Sequence, residues 1–218
     1  MLTQSLLISI AISNLMLAGL MLLFSGAYRS GHLSVKIWTL ARVLQGLGFF
    51  LVAQRGSLGY FWSYRIGNAG VSLGWWLDVV GTWGFLERQL RLVQGLDAGL
   101  VSYLLFAAIS YRWEQANIRI IFQTVLSILI FGLLMLGFLS EWRKTGSRLA
   151  AYLTGFSVLL IAGRLPRLWA AVFNTEFTVL SSDMLQTISY GALYLALLCN
   201  GFGFLLLSNE KPSSRPAP

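Results

Sequence analysis

Apolar stretches of about twenty residues recur from one end of this 218-residue chain to the other, separated by short charged segments. An α-helix needs about 20 apolar residues to cross roughly 30 Å of hydrocarbon, so the pattern reads as a polytopic membrane protein. Composition agrees: 56% of residues are hydrophobic and 11% charged, the mean hydropathy is +0.70, and an ordinary soluble domain carries roughly 25% charged residues. Strands of a transmembrane barrel would run about ten residues and alternate in polarity, which the stretch 5–24 does not do. The expected fold class is all-α, a bundle of seven transmembrane helices.

The spans fall at residues 5–25, 33–54, 60–86, 95–111, 118–139, 149–171 and 184–207. Loops between them are too short to hold a soluble domain, so residues 1–208 form one membrane domain. Residues 209–218 contain three of the four prolines and are expected to be a disordered cytoplasmic tail. The first span follows no positive charge and precedes no A-x-A-like cleavage site, so it is expected to persist as a helix.

Lys and Arg resist translocation, and their distribution sets orientation. With the N-terminus outside, nine basic residues face inward: Arg29, Lys36, Arg88, Arg91, Arg143, Lys144, Arg148, Lys211 and Arg215. Four face outward: Arg55, Arg65, Arg112 and Arg119. An outside N-terminus and a cytoplasmic C-terminus are expected. The net charge of +8 follows from this scatter, and no basic block longer than Arg143-Lys144 exists to grip a phosphodiester backbone, so nucleic acid is not an expected partner.

Gly67, Gly70, Gly74, Gly81 and Gly84 fall on one heptad stripe of the third span, interrupted only by Leu77. Lipid tails are as apolar as Leu, so membrane helices associate through close backbone approach, which small residues permit. The stripe reads as helix packing, either within the bundle or as a homodimer face. Asp78 lies about 40° round the helix from Gly74 and should face protein. Arg42 in the second span sits at matching depth, so the two are expected to form an ion pair, as a structural lock or as a proton-linked switch.

A second polar layer lies nearer the outer end. Arg164 and Arg167 share a face of the sixth span around Pro166, and Arg65 and Asn68 in the third span reach a comparable depth. The layer is positive, so an anion is the ligand that fits, with Tyr64, Trp62 and Trp169 as apolar walls. The competing reading is an interfacial belt of snorkelling arginines and aromatics.

Other chemistries lack their residues. The single histidine, His32, falls between spans, so haem, di-iron and bis-His metal sites lack their usual ligands, and Lys36, Lys144 and Lys211 all lie outside or at the edges of the spans, where none is placed to carry a retinal Schiff base. The single cysteine, Cys199, excludes an intramolecular disulfide and any C-x-x-C site. No cofactor, no metal and no catalytic constellation is expected, so the chain reads as non-enzymatic.

The stretch Ile37-Trp38-Thr39-Leu40-Ala41-Arg42 through Gly46-Leu47-Gly48, the loop Gln54-Arg55-Gly56, Asn68 followed by glycines, and the exit Gly84-Phe85-Leu86-Glu87-Arg88 resemble the N-terminal multi-helix membrane sensor modules of bacterial GGDEF diguanylate cyclases. Arg164 and the Leu-rich last helix from Gly201 to Glu210 continue the likeness. The resemblance implies a seven-helix sensory domain of a bacterial inner membrane with its output on the cytoplasmic side. Arg65, Asn68, Arg164 and Arg167 carry over as input-site candidates; Asp78 does not. No cyclase follows Glu210, so output would pass to a cytoplasmic or membrane signalling partner in trans. The expected function is a sensory module reading an outer-leaflet or periplasmic cue. A small transporter or channel, and an accessory subunit of a membrane complex, stand as alternatives.

Overall fold

The computed structural model describes residues 2–24, 32–86, 92–113, 115–180 and 184–210. The described residues form seven α-helices: α1 (Leu2–Phe24), α2 (His32–Ala53), α3 (Gly67–Phe85), α4 (Leu92–Arg112), α5 (Ala116–Thr145), α6 (Arg148–Phe173) and α7 (Met184–Glu210). A π-helical segment, Phe61–Ile66, runs directly into α3. No strand occurs among the described residues. All of α1, α2, α4, α5, α6 and α7 are long and apolar enough to cross a membrane by length and composition. Helix α3 does not reach that hydropathy, because it is rich in glycine and carries Asp78. Its burial among other helices replaces the lipid contact it lacks. The fold is an all-α multi-pass membrane bundle.

Connectivity is up and down. Helices α1, α2, α3, α5, α6 and α7 close a ring, and α4 rides outside it against α3 and α5. The ring interior is filled by Ile130, Phe131, Trp75, Trp38 and Phe204, with the Trp38 and Phe204 rings stacked at 5.0 Å. Helix α4 is the least buried span. It is tied to α3 by Trp76, whose indole N–H donates to Ser102 Oγ at 3.0 Å.

Local chemistry accounts for the ends. Helix α5 stops at Gly146, whose φ of +69° is a left-handed cap that glycine adopts without a Cβ clash. Ser147 then caps α6, its Oγ accepting from Ala150 N at 3.2 Å. Helix α5 outruns the expected 118–139, because Glu141, Trp142, Arg143 and Lys144 continue it past the apolar stretch. Helix α7 extends two residues into the segment expected to be tail, and His32 is the first residue of α2 rather than a loop position. The remaining tail, 211–218, and the loop residues Arg29, Glu87, Arg88 and Arg91 lie outside the described residues.

All five glycines of the α3 stripe face α2. A Cβ at Gly74 would stand 2.8 Å from the Ala41 carbonyl oxygen and 2.6 Å from Gln45 Cγ; one at Gly81 would stand 3.0 Å from Trp38 Cβ and 3.1 Å from the Ser34 carbonyl. Gly67 and Gly70 meet α2 at Gly48, and Gly84 meets Ser34. The stripe is therefore filled within the chain, and a homodimer would have to use another face.

Candidate functional site

Two polar cavities are threaded by α3, which carries Asn68 into one and Asp78 into the other. Ten residues of helix put about 15 Å between them along the axis.

The inner site is built on Asp78. Its Oδ2 lies 2.9 Å from Arg42 Nη2 and accepts from Gln45 Nε2 at 2.6 Å. Arg42 Nη1 donates to Asn14 Oδ1 at 3.3 Å, and the guanidinium lies 4.3 Å from the centre of the Trp38 ring. Asn14 in turn donates to the Ile10 carbonyl at 3.0 Å. One ion pair thus ties α1, α2 and α3 together. A space of about 30 Å³ adjoins it, lined by Asp78, Arg42, Gln45, Thr82 and, from α7, Asn200. Asp78 Oδ1 and Asn200 Oδ1 have no hydrogen-bond partner among the described residues.

The second cavity, about 80 Å³, lies at the end of the bundle where α3, α5 and α7 begin. Arg55 from the turn after α2, Arg119 from α5 and Arg167 from α6 line it, with Tyr64, Asn68, Gln123 and Tyr190. The Tyr64 ring is held between two guanidiniums, Arg55 at 4.6 Å and Arg119 at 4.8 Å, and Arg167 lies 4.9 Å from the Tyr190 ring. Aromatic faces offset part of the cost of gathering cations in a dry place. They leave one donor of each guanidinium unused: the Nε of Arg55, Arg119 and Arg167 has no partner among the described residues. No carboxylate among the described residues lines this cavity. The loop after α6 forms its roof, where Phe177 is buried, Gln186 Nε2 donates to the Val179 carbonyl at 2.7 Å, and Thr178 and Val179 contribute to the lining.

Of the residues expected to bind a ligand, Tyr64, Asn68 and Arg167 line this cavity. Asn68 spends its amide N–H on the Tyr64 carbonyl, so it steadies the junction between the π-helical segment and α3. Arg164 lies deeper, 1% exposed, donating to Ser189 Oγ at 3.3 Å; it braces α6 against α7. Arg65, Trp62 and Trp169, expected beside them, do not line this cavity. Arg65 is one residue round the helix from Tyr64 and lies in a flanking groove. Trp62 and Trp169 are 55% and 64% exposed, on faces turned away from the bundle, as an aromatic belt would be.

Sequence reasoning missed Arg55, Arg119, Gln123 and Tyr190. The one available signal was that Arg55 and Arg119 are basic residues on the side of the membrane that charge statistics disfavour. Trp75 was missed as well. It lines both cavities, and its ring meets Phe49 at 6.4 Å and Phe131 at 5.8 Å, so an aromatic layer divides the two.

No protein-family model, no curated protein and no solved structure matches this chain.

Proposed function

We propose that this protein is a membrane sensory module that binds an anionic group in the arginine cavity and passes its occupancy through α3 to a signalling partner in trans. The observation that carries the reading is three guanidiniums in one roofed cavity with no carboxylate among the described residues lining it. Arginines held together with unspent N–H donors have the charge and fork geometry for phosphate or carboxylate. Binding there pulls on Tyr64 and Asn68, and α3 delivers the movement to Trp75 and Asp78.

In this reading the protein resides in a bacterial inner membrane with the arginine cavity on the outer side and the C-terminus in the cytoplasm. Withdrawing Arg55 and Arg119 into the cavity leaves only Arg65 and Arg112 of the outer charges in contact with loops or lipid, which sharpens the charge asymmetry. The module stands in the same relation to its output as the membrane sensors of diguanylate cyclases.

The Trp75 position favours a second reading, transport, because one side chain separates two polar spaces. Hydrogen exchange on the purified protein and phosphate uptake into proteoliposomes divide the two. Sensing predicts that phosphate alters amide protection at the far end of the bundle, around Trp142 to Arg148, without net uptake. Uptake with no far-end change would overturn it in favour of transport.

A further inference from the structure

The arginine cavity is small. About 80 Å³ takes a group of about five heavy atoms, since ~10–15 Å³ of such space holds one water. Any larger ligand must leave most of its atoms elsewhere, and on one side the loop carrying Thr178 and Val179 walls the cavity. The flank differs. A groove of about 690 Å³ runs between the π-helical segment and α4, lined by Tyr60, Arg65, Tyr103 and Ala107. Tyr64, Phe106 and Arg119 line both spaces, so a single layer of side chains separates them. The Tyr64 and Phe106 rings stack at 5.8 Å within that layer, and Phe106 belongs to α4, the helix outside the ring.

We infer that the cavity takes the phosphate of an anionic lipid from the side, with the lipid's chains lying in the groove between the π-helical segment and α4. This rests on the anion reading above and names its ligand. Three features select it. The groove is walled by α4, the helix outside the ring and the least buried span, on the side where a membrane protein meets lipid. The basic side chains form a path, Arg65 in the groove, Arg119 at the boundary and Arg167 inside, along which an acidic headgroup moves toward rising positive charge. The guanidiniums converge from a turn and two different helices, which suits the oxygens spread tetrahedrally on a phosphate better than the two coplanar oxygens of a carboxylate.

The test uses the full chain in a neutral maltoside detergent, with the melting temperature read against three probes: dioctanoyl phosphatidic acid, glycerol phosphate and dioctanoylglycerol. A ligand that binds only the folded state raises the melt with the logarithm of its concentration. The expected result is that phosphatidic acid stabilises at a concentration at least about tenfold lower than glycerol phosphate, because the chains hold the head at the site, and that dioctanoylglycerol does nothing. Ala107→Trp, which fills the groove, should remove the advantage of the lipid over glycerol phosphate, and Arg119→Gln should remove both responses. If Ala107→Trp fails to fold, Ala108→Trp on the open side of the groove replaces it. Equal potency of the two phosphates, with the groove variant behaving as wild type, overturns lateral lipid binding and leaves the anion cavity standing. No response to either phosphate overturns both.

Discussion

Arg42 Nη2 and Asp78 Oδ2 lie 2.9 Å apart in a part of the bundle where both side chains are almost entirely shielded. Because Gln45 and Asn14 take up further donors and acceptors of the pair, the charges are held in a network instead of standing alone. Removing one partner of a buried pair strands the other at a cost of about 3–5 kcal/mol. Asp78→Asn and Arg42→Gln should each destabilise the fold by amounts of that order, read as a lower melting temperature in detergent, and the double variant should be less destabilised than the sum. Strict additivity would show that the two do not support each other.

The glycines of α3 separate into a testable contrast with glycines elsewhere. Gly74→Ala places a methyl against the backbone of α2 and should cost ~1–3 kcal/mol through overpacking. At Gly155 in α6, no neighbouring group comes within 4 Å of where a Cβ would stand, so Gly155→Ala should be neutral or gain ~0.5–1 kcal/mol from helix propensity. Thermal melts of the two variants check the assignment of the stripe to the α2 interface.

Arg164 and Arg167 are three residues apart but do different work. Arg164→Gln removes the charged donor to Ser189 and should destabilise by about 1.5–3 kcal/mol, with the anion response of the folded fraction retained. Arg167→Gln should fold with smaller loss and no longer respond to anion. Identical behaviour of the two variants in phosphate-titrated melts would erase the distinction.

Orientation has its own check. With nine basic residues on one side and four on the other, a C-terminal green fluorescent protein fusion should glow and an alkaline phosphatase fusion should be inactive. The reverse pattern would place the arginine cavity on the cytoplasmic side.

Much of this arrangement was legible in the chain itself. Apolar run length located the helices, because hydrocarbon thickness leaves little choice of length. Depth matching placed Arg42 opposite Asp78, because α2 and α3 are antiparallel neighbours. The α3 stripe was visible as a heptad, although its partner helix was not. The residues of the arginine cavity were harder to see for two reasons. Arg55 and Arg119 sit at helix ends, where an arginine reads equally well as a topology signal. Depth along a helix does not say which side a residue faces, so Trp62 and Arg65 were grouped with Tyr64 and Asn68, and the widened turn at Phe61–Ile66 alters the phase there as well. Such insertions are frequent at functional sites, and no sequence pattern here announced one.

The central claim is that Arg55, Arg119 and Arg167 form a binding site for an anionic group. Phosphorus NMR tests it most directly: glycerol phosphate is titrated with the purified protein in a neutral detergent, and its resonance is followed for wild type and for Arg167→Gln. The account predicts that the resonance broadens and shifts with wild type, saturates, and stays at its free position with Arg167→Gln at equal folded protein. A resonance unchanged by wild type, or changed equally by the variant, would contradict the claim and leave these arginines as structural cations stacked on Tyr64 and Tyr190.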